Sequence, residues 1–155
     1  LYGFETISLR YFNIFGPKQD PESIYSAVIP KFIHALLHGY PPTIYGDGEQ
    51  SRDFTFIENV VHANLLAMEM EHASGEVVNI ACGSQTSLNQ LLSFLQGLIG
   101  IKVLPRHEEP RKGDVRHSLA DIHQAAKILN YQPQIDIQEG LRRTVEYYRK
   151  ELERR

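Results

Sequence analysis

The sequence has 155 residues, of which 42% are hydrophobic, and its formal net charge is −3. This length and apolar content suffice for one globular domain with a hydrophobic core. The negative charge argues against a nucleic-acid-binding surface, and no apolar run reaches the length of a membrane span. The single cysteine, Cys82, excludes an internal disulfide and is typical of a reducing cytoplasm.

The first part of the chain predicts a strand, a loop and a helix. Residues 6–12 alternate between apolar and polar side chains, which predicts a strand that ends at Asn13. Residues 14–23 contain glycine and proline, so we expect an irregular loop there. The pattern of residues 27–38 has helical spacing, and Pro30 is compatible with a helix only near its first turn.

Residues 43–56 contain the strongest turn signal. The runs 43–45 and 53–56 flank Gly46-Asp47-Gly48, and we expect them to form a hairpin with the glycines at positive φ. Arg52 follows the turn, and its planar set of donors suits bidentate contact with a phosphate or a carboxylate. On local sequence alone, a solvated surface arginine is the simpler interpretation.

Helices and strands alternate in the rest of the chain. We expect helices over residues 57–71, 88–99, 122–129 and 137–152, and strands over 77–81 and 102–104. The expected inward-facing residues of the first of these helices are Val60, Val61, Leu65 and Met68. The expected caps are the Ser87–Gln90 capping box, Asp121, and Asp136 with Glu139. This alternation predicts an α/β or mixed fold, and no repeat or linker divides the chain.

Common catalytic and metal-binding motifs are absent from the sequence. His34 and His38 are spaced i, i+4, as in some metal sites, but no third ligand accompanies them, so we expect no metal site. The glycines match neither a P-loop nor a dinucleotide-binding fingerprint. No serine lies in a nucleophile elbow, and we assign no catalytic residue.

A more specific signal comes from two distant segments that each place an aspartate shortly after an arginine. One is Arg52-Asp53, and the other contains Arg111 and Asp114. Asn13 lies at the C-terminal end of a predicted strand, where α/β proteins usually bind ligands. Arginines for a diphosphate, an aspartate for ribose hydroxyls and an aromatic ring for a base would together form a nucleotide site.

Four motifs occur in a fixed order along the chain: LRYFNIFGP (9–17), AVIPKF (27–32), IYGDGEQSRDF (44–54) and RKGDVRHSLAD (111–121). In these motifs the chain resembles the C-terminal part of the extended short-chain dehydrogenase/reductases of the NAD-dependent epimerase/dehydratase family. The likeness covers nearly the whole chain. The segment SRDF is closest to UDP-glucose and UDP-N-acetylglucosamine 4-epimerases, compared with the RDW of dTDP-glucose 4,6-dehydratases and the TRSF of UDP-glucuronate decarboxylases.

The resemblance implies a fold and an arrangement of domains. Residues 1–155 would form a single nucleotide-sugar-binding domain, namely the small mixed α/β domain of an extended Rossmann-type epimerase together with a late strand of its dinucleotide sheet. The N-terminal NAD-binding domain would lie outside this chain. The chain begins at Leu1, not at a methionine, so we expect it to be part of a longer protein.

The resemblance also implies roles for individual residues. Asn13, Arg52 and Arg111 would bind the diphosphate of a UDP-sugar, and Asp114 would accept hydrogen bonds from the ribose. The residues implied to line the uridine end are Ala27, Val28, Lys31, Phe32, Thr43, Tyr45 and Leu88. Gln19 and Ser118 would lie near the sugar ring and influence substrate specificity. Tyr11 would lie near the nicotinamide of NAD.

The catalytic Tyr-x-x-x-Lys of the family lies upstream of the matched part, and none of the eight tyrosines here has a lysine four residues later. We therefore expect this chain alone to be inactive. The longer protein would be an NAD-dependent UDP-hexose or UDP-N-acetylhexosamine 4-epimerase, a cytoplasmic homodimer without nucleic-acid or membrane partners. Two alternatives stay open: a 4,6-dehydratase or decarboxylase of the same superfamily, and a non-catalytic, truncated nucleotide-binding module.

Overall fold

The computed structural model describes residues 5–21, 28–70 and 75–154. The helices within these ranges are α1 (Val28–Leu37), α2 (Ile57–Glu69), α3 (Leu88–Ile99), α4 (His123–Leu129) and α5 (Ile137–Glu153). The strands are β1 (Ile7–Tyr11), β2 (Ile14–Phe15), β3 (Thr43–Tyr45), β4 (Ser51–Arg52), β5 (Thr55–Phe56), β6 (Glu76–Ile80), β7 (Thr86–Ser87) and β8 (Arg106–Glu108). The predicted mixed α/β fold is confirmed.

The strands form four two-stranded sheets among the described residues. Three pairs are parallel: β1 with β6, β2 with β5, and β3 with β8. The pair β4–β7 is antiparallel. The predicted hairpin is therefore wrong, because β3, β4 and β5 each pair with a segment distant in sequence. Gly46 and Gly48 do adopt positive φ in the turn, but the strands on either side of that turn diverge.

Two clusters of buried side chains hold these elements together. In the larger one, α1, α3 and α5 pack around aromatic residues that include Phe15, Phe54 and Phe56. The second cluster joins α2 and α4 to the pair β1–β6, with Val78, Ile80 and Tyr131 among its buried residues. The functional site described below lies against the larger cluster, because β2, β3 and β5 each contribute a buried residue to it.

The helix boundaries mostly follow the expected capping residues. Helix α3 spans the predicted residues, and the capping box between Ser87 and Gln90 is present. The side chain of Asp136 accepts a hydrogen bond from the Glu139 amide at the start of α5, as expected. Helix α4 begins one residue later than predicted, with Ile122 at its N-cap, and Asp121 instead accepts from the His123 amide. The predicted strand 102–104 is wrong, since the strand in this region is β8.

The buried face of α2 differs from the prediction. Val60 is buried, but Val61, Leu65 and Met68 are 51%, 53% and 81% exposed. Val60 and Ala63 contact the second cluster, so the other three residues point away from it. We call Val61, Leu65 and Met68 the α2 surface. No helix among the described residues has both the length and the apolar character needed to cross a membrane.

Candidate functional site

A cavity of about 220 Å³ brings together the residues expected at a nucleotide site. All ten predicted substrate-binding residues that the structure describes line it: Asn13, Val28, Lys31, Phe32, Thr43, Tyr45, Arg52, Leu88, Arg111 and Asp114. The eleventh, Ala27, lies outside the described residues. Gln50 and Phe54 complete the lining and were not predicted. The cavity thus joins residues from five separate regions of the sequence.

Asn13 is held between two strands by its backbone conformation and two hydrogen bonds. It lies between β1 and β2 with φ 37°, a left-handed conformation that asparagine tolerates better than most residues. Its side-chain Nδ2 donates to the Asp53 carbonyl at 3.0 Å, and its own carbonyl accepts from the Thr55 amide at 3.2 Å. These two bonds fix Asn13 against the segment that carries Arg52.

Helix and strand periodicity place the wall residues of α1 and β3. Val28, Lys31 and Phe32 are spaced i, i+3 and i+4, which puts them on one face of α1. Thr43 and Tyr45 are two residues apart and share one face of β3, while Ile44 between them is fully buried on the other face. The same short strand therefore contributes both to the core and to the cavity.

Residues 109–115 form a segment that we call the flap. Before it, β8 pairs with β3, and the Gly46 amide donates to the Glu108 carbonyl at 2.8 Å. After it, the Ser51 amide donates to the Arg116 carbonyl at 2.9 Å. Both ends of the flap are thus tied to chain segments on either side of the Gly46–Gly48 turn. Sequence reasoning found no regular period here, because these pairings are distant in sequence.

A tight turn places the two predicted binding residues of the flap, Arg111 and Asp114, side by side. The Asp114 amide donates to the Arg111 carbonyl, and Gly113, the third of the four turn residues, has φ 84°. A positive φ at this position is the geometry of a type II turn and favours glycine. Arg111 and Asp114 therefore leave the same turn and reach the same cavity.

The charged residues of the cavity contact protein partners. Arg52 forms an ion pair with Asp114 at 2.5 Å and donates to the Ser51 carbonyl at 2.9 Å. The guanidinium of Arg111 lies 4.0 Å from the centre of the Tyr45 ring, within the range of a cation–π contact. Together with Lys31, the lining contains three cationic side chains and one carboxylate. This excess of positive charge favours an anionic ligand.

Asp53 is a structural residue of the site that sequence reasoning did not assign. Its side chain is fully buried, and its carboxylate accepts from the amides of Cys82, Gly83 and Ala120 at 3.0, 2.9 and 3.4 Å. Burial raises the pKa of this carboxyl above its usual value, and the backbone donors partly oppose that effect. No sequence motif marks Asp53 for this role, because its partners are backbone amides.

The two predicted specificity residues do not line this cavity. Gln19 lines a separate cavity of about 350 Å³ beside α5, and its Nε2 donates to the Ile14 carbonyl at 3.3 Å. Ser118 is half-buried just after the flap, where its amide donates to the Ser51 carbonyl at 3.0 Å. Their predicted positions near a sugar ring stay predictions.

Tyr11, the residue expected near a nicotinamide, lies at the end of β1 and is 43% exposed. Its hydroxyl donates to Asn64 Oδ1 at 3.1 Å, and the groove beside it is lined otherwise by Ile7, Leu9, Ala67 and Met68. Such residues can contact a flat ring. They offer no cation or glycine turn for a pyrophosphate, so this groove by itself does not form a dinucleotide site.

The two histidines that suggested a metal are stacked on each other. The ring centroids of His34 and His38 are 4.2 Å apart, and His38 Nδ1 contacts the His34 carbonyl oxygen at 2.8 Å. Across the described ranges, no group of three or more His, Cys, Asp or Glu side chains is arranged to hold a metal ion.

Comparison with known proteins identifies several relatives of the chain. The Thermotoga maritima UDP-glucose 4-epimerase, solved with UDP-glucose, is 43% identical with a TM-score of 0.92, over 97% of this chain and 48% of that one. A Methanobrevibacter ruminantium UDP-N-acetylglucosamine 4-epimerase, in complex with UDP-N-acetylmuramic acid, is 41% identical with a TM-score of 0.90, over 97% and 48%. A putative UDP-glucose 4-epimerase of Methanocaldococcus jannaschii is 39% identical, over 95% of this chain and 47% of its own length.

The relatives also include UDP-sugar decarboxylases, at 30% and 31% identity. The chain spans about half the length of the curated relatives that it matches. Residues 1–81 match the family model described as "NAD dependent epimerase/dehydratase family". The chain therefore belongs to the NAD-dependent epimerase/dehydratase family.

Proposed function

We propose that this chain is the nucleotide-sugar-binding part of an NAD-dependent UDP-hexose or UDP-N-acetylhexosamine 4-epimerase. The observation that carries the proposal is the cavity, which gathers ten residues expected to contact UDP from five regions of the sequence. Family membership and the epimerase relatives support the same assignment.

In this proposal the cavity holds the nucleotide by charge and by shape. Arg52, Arg111 and Asn13 bind the diphosphate, since a guanidinium can donate two parallel hydrogen bonds to phosphate oxygens. Asp114 accepts from the ribose hydroxyls. The base packs between α1 and β3, against Thr43 and Tyr45. A diphosphate that enters the cavity competes with Asp114 for the guanidinium of Arg52, and this exchange frees the carboxylate for the ribose.

Binding through the nucleotide suits the chemistry of a 4-epimerase. Inversion at C4 needs the sugar to be oxidised and then reduced on its other face, and NAD, when bound to the whole protein, supplies the hydride acceptor and donor. Between the two hydride transfers, the oxidised sugar must rotate so that it presents its other face. Recognition in this chain is directed at the nucleotide, so the sugar can rotate while UDP stays bound. No residue of the cavity is assigned as an acid or base.

Several properties of the whole protein form part of the proposal. Residues 1–155 act as one substrate-binding domain, and the NAD-binding domain with the catalytic Tyr-x-x-x-Lys lies outside this chain. The whole protein is a homodimer in the cytoplasm. The chain alone binds UDP but does not convert UDP-sugars, because none of its tyrosines has the lysine four residues later that the family's Tyr-x-x-x-Lys requires.

A second candidate is a UDP-sugar decarboxylase, which the decarboxylase relatives support. The chemistry of the product separates the two. Epimerisation leaves the mass of the substrate unchanged, decarboxylation removes carbon dioxide, and the related 4,6-dehydration removes water. Mass spectrometry and NMR of the products of the full-length protein, offered UDP-glucose, UDP-N-acetylglucosamine and UDP-glucuronate in turn, therefore distinguish all three.

The binding role can be tested on this chain directly. Isothermal titration calorimetry should detect binding of UDP and weaker binding of UMP, because UMP lacks the second phosphate for the arginines. NAD should bind far more weakly than UDP. A folded chain that binds NAD but not UDP would contradict the proposal, whereas UDP binding without NAD binding would support it.

A further inference from the structure

The buried carboxylate of Asp53 connects several segments that carry the walls of the cavity. Its Oδ1 accepts from the Cys82 amide at 3.0 Å, and its Oδ2 accepts from the Gly83 amide at 2.9 Å and the Ala120 amide at 3.4 Å. Its backbone carbonyl accepts from Asn13 Nδ2 at 3.0 Å. One residue thus contacts three other parts of the chain.

Each of these contacts lies on a segment that carries a cavity residue or leads to one within six residues. Arg52 directly precedes Asp53. Cys82 and Gly83 begin the turn that leads into β7 and Leu88 at the start of α3. Ala120 closes the segment that returns from the flap, which carries Arg111 and Asp114. The carboxylate therefore fixes the relative positions of β4, the 82–84 turn and Ala120, at the end of the residues that follow the flap.

A carboxylate suits this position better than other small side chains. It has two oxygens that only accept hydrogen bonds, so it can satisfy several converging amides at once. An asparagine would turn one of these oxygens into a donor facing backbone N–H groups. A buried N–H group without an acceptor is unfavourable, so the surrounding segments would have to move.

We propose that Asp53 is a positioning residue for nucleotide binding. It acts by holding Arg52, the turn before Leu88 and residues 116–120, which follow the flap, in their binding geometry. Asp53 does not line the cavity, so its effect is transmitted through the residues that it holds. The choice of UDP as the ligand rests on the proposed function, but the positioning role does not. A displacement of ligand-contacting groups by about 1 Å can cost a large factor in recognition.

Asn59 provides a matched control. It is also fully buried, and its Oδ1 accepts from the amides of Gln134 and Ile135 at 2.9 and 3.0 Å. These amides lie just before α5 and are not part of the cavity lining. Asp53→Ser and Asn59→Ser each remove a buried acceptor of several backbone amides. Asn59 Nδ2 also donates to the Ile135 carbonyl at 2.7 Å and contacts the Cys82 sulfur, but not the Cys82 amide, at 3.7 Å. The two variants therefore differ in whether the backbone amides that lose an acceptor lie on segments that carry the site.

The test compares UDP affinity in the wild-type chain and the two variants, at a temperature where circular dichroism finds all three folded. Asp53→Ser should bind UDP about tenfold or more weakly, and Asn59→Ser should stay within about twofold of wild type. Asp53→Asn, which keeps the shape and one acceptor, should fall between wild type and Asp53→Ser. If Asp53→Ser does not fold, Asp53→Asn makes the same comparison.

A double-mutant cycle separates positioning from general destabilisation. If Asp53 acts partly by placing Arg52, then Asp53→Ser should cost less UDP affinity in an Arg52→Ala background than in the wild type. If the losses of UDP affinity in the two single mutants add fully in the double mutant, Asp53 does not act by placing Arg52. Unchanged UDP affinity in Asp53→Ser, or equal losses in Asp53→Ser and Asn59→Ser, would overturn the proposal as a whole.

Hydrogen exchange tests the positioning role without a ligand. Amides of the flap and of residues 116–120 should exchange faster in Asp53→Ser but not in Asn59→Ser. Unchanged exchange there would contradict the proposal. If the wild-type chain does not bind UDP, the proposed function fails. The exchange comparison still decides whether Asp53 holds the flap and residues 116–120 in place.

Discussion

The carboxylate of Asp114 lies 2.5 Å from the guanidinium of Arg52 and joins the flap to β4 at the cavity. The Arg52 side chain is 16% exposed and that of Asp114 is 44% exposed. Solvent-exposed ion pairs contribute only about 0–1 kcal/mol, and this pair is partly exposed. In the proposed function, a ligand diphosphate would therefore displace Asp114 from Arg52 at small cost, and the ion pair would hold the Arg52 side chain in place before the ligand binds.

The first prediction concerns the two arginines of the cavity. Arg52→Ala and Arg111→Ala should each weaken UDP binding by about ten- to a hundredfold, since each removes a charge-assisted contact of about 1.5–3 kcal/mol. Calorimetry with UDP measures the effect. Arg106→Ala is the control, because Arg106 is exposed, pairs with Glu108 and does not line the cavity. Unchanged affinity in both cavity mutants would refute the assigned roles.

Two helical glycines should respond in opposite directions to alanine. A Cβ at Gly140 would lie 2.8 Å from Phe15 Cζ and 3.0 Å from Phe56 Cβ, so Gly140→Ala should destabilise the chain by about 1–3 kcal/mol despite alanine's higher helix propensity. A Cβ at Gly97 would meet nothing within 4 Å, so Gly97→Ala should stabilise by about 0.4–1 kcal/mol. Urea unfolding of both variants decides this. Similar shifts of the same sign would be inconsistent with the packing described.

The start of α5 should make stability depend on pH in the acid range. Hydrogen bonds from Arg142 and Arg143 lower the pKa of Glu139 from 4.5 to about 2. A carboxyl whose pKa is lower in the folded state stabilises the fold above its unfolded pKa, and this contribution is lost as the pH falls from about 4.5 towards 2. Glu139→Gln should therefore flatten the decline in melting temperature over this range.

Glu153→Gln removes one carboxylate at the other end of the same helix and serves as the charge-matched control. Its melting temperature should decline with pH as steeply as that of wild type. An equally steep decline in Glu139→Gln would show that the Glu139 contacts do not matter for acid stability.

The α2 surface should cause self-association of this chain. Val61, Leu65 and Met68 are exposed on one helix, and among the described residues β1 pairs only with β6. Exposed apolar patches and unpaired strand edges favour association. Leu65→Lys should increase the monomer fraction in sedimentation experiments, whereas Leu104→Lys, at an exposed leucine away from α2, should not. A wild-type chain that stays monomeric at high concentration would contradict this.

Ser118 allows a prediction about substrate range in the full-length protein. The resemblance places this position by the C2 substituent of the sugar, so a serine leaves room for an N-acetyl group and a tyrosine would not. Wild type should accept both UDP-glucose and UDP-N-acetylglucosamine, and Ser118→Tyr should lose mainly the acetylated activity. The ratio of kcat/KM for the two substrates is the measurement. Ser93→Tyr, at an exposed serine on α3, is the control. A ratio that does not change in Ser118→Tyr would place Ser118 away from the ring.

Sequence reasoning succeeded where the signal is local. The capping box fixed the start of α3, because it depends on residues three positions apart. The four family motifs contain eight of the ten predicted residues that line the cavity, all but Thr43 and Leu88, although no local property of Arg52 or Asp114 distinguishes them from surface charges. The structure then brought those residues together at one cavity.

The errors arose where partners are distant in sequence. The strand of Thr43 and Tyr45 pairs with β8 rather than with the segment after its own turn, and no local pattern encodes that choice. In α2 the apolar residues cover more than one face, so periodicity correctly predicted that Val60 faces the core but did not show that Leu65 faces away from it. Asp53 was missed because its partners are backbone amides, which carry no sequence signal.

The flap is closed at both ends by pairings to segments on either side of one turn, through β3–β8 and the Ser51–His117 bridge. For a flexible loop, the entropic cost of closure rises by only about 0.6 kcal/mol each time the loop doubles in length. Insertions between residues 109 and 115 should therefore alter the proposed diphosphate and ribose contacts of Arg111 and Asp114 without unfolding the protein. The flap is therefore the natural segment to randomise when the proposed ligand site is altered by directed evolution.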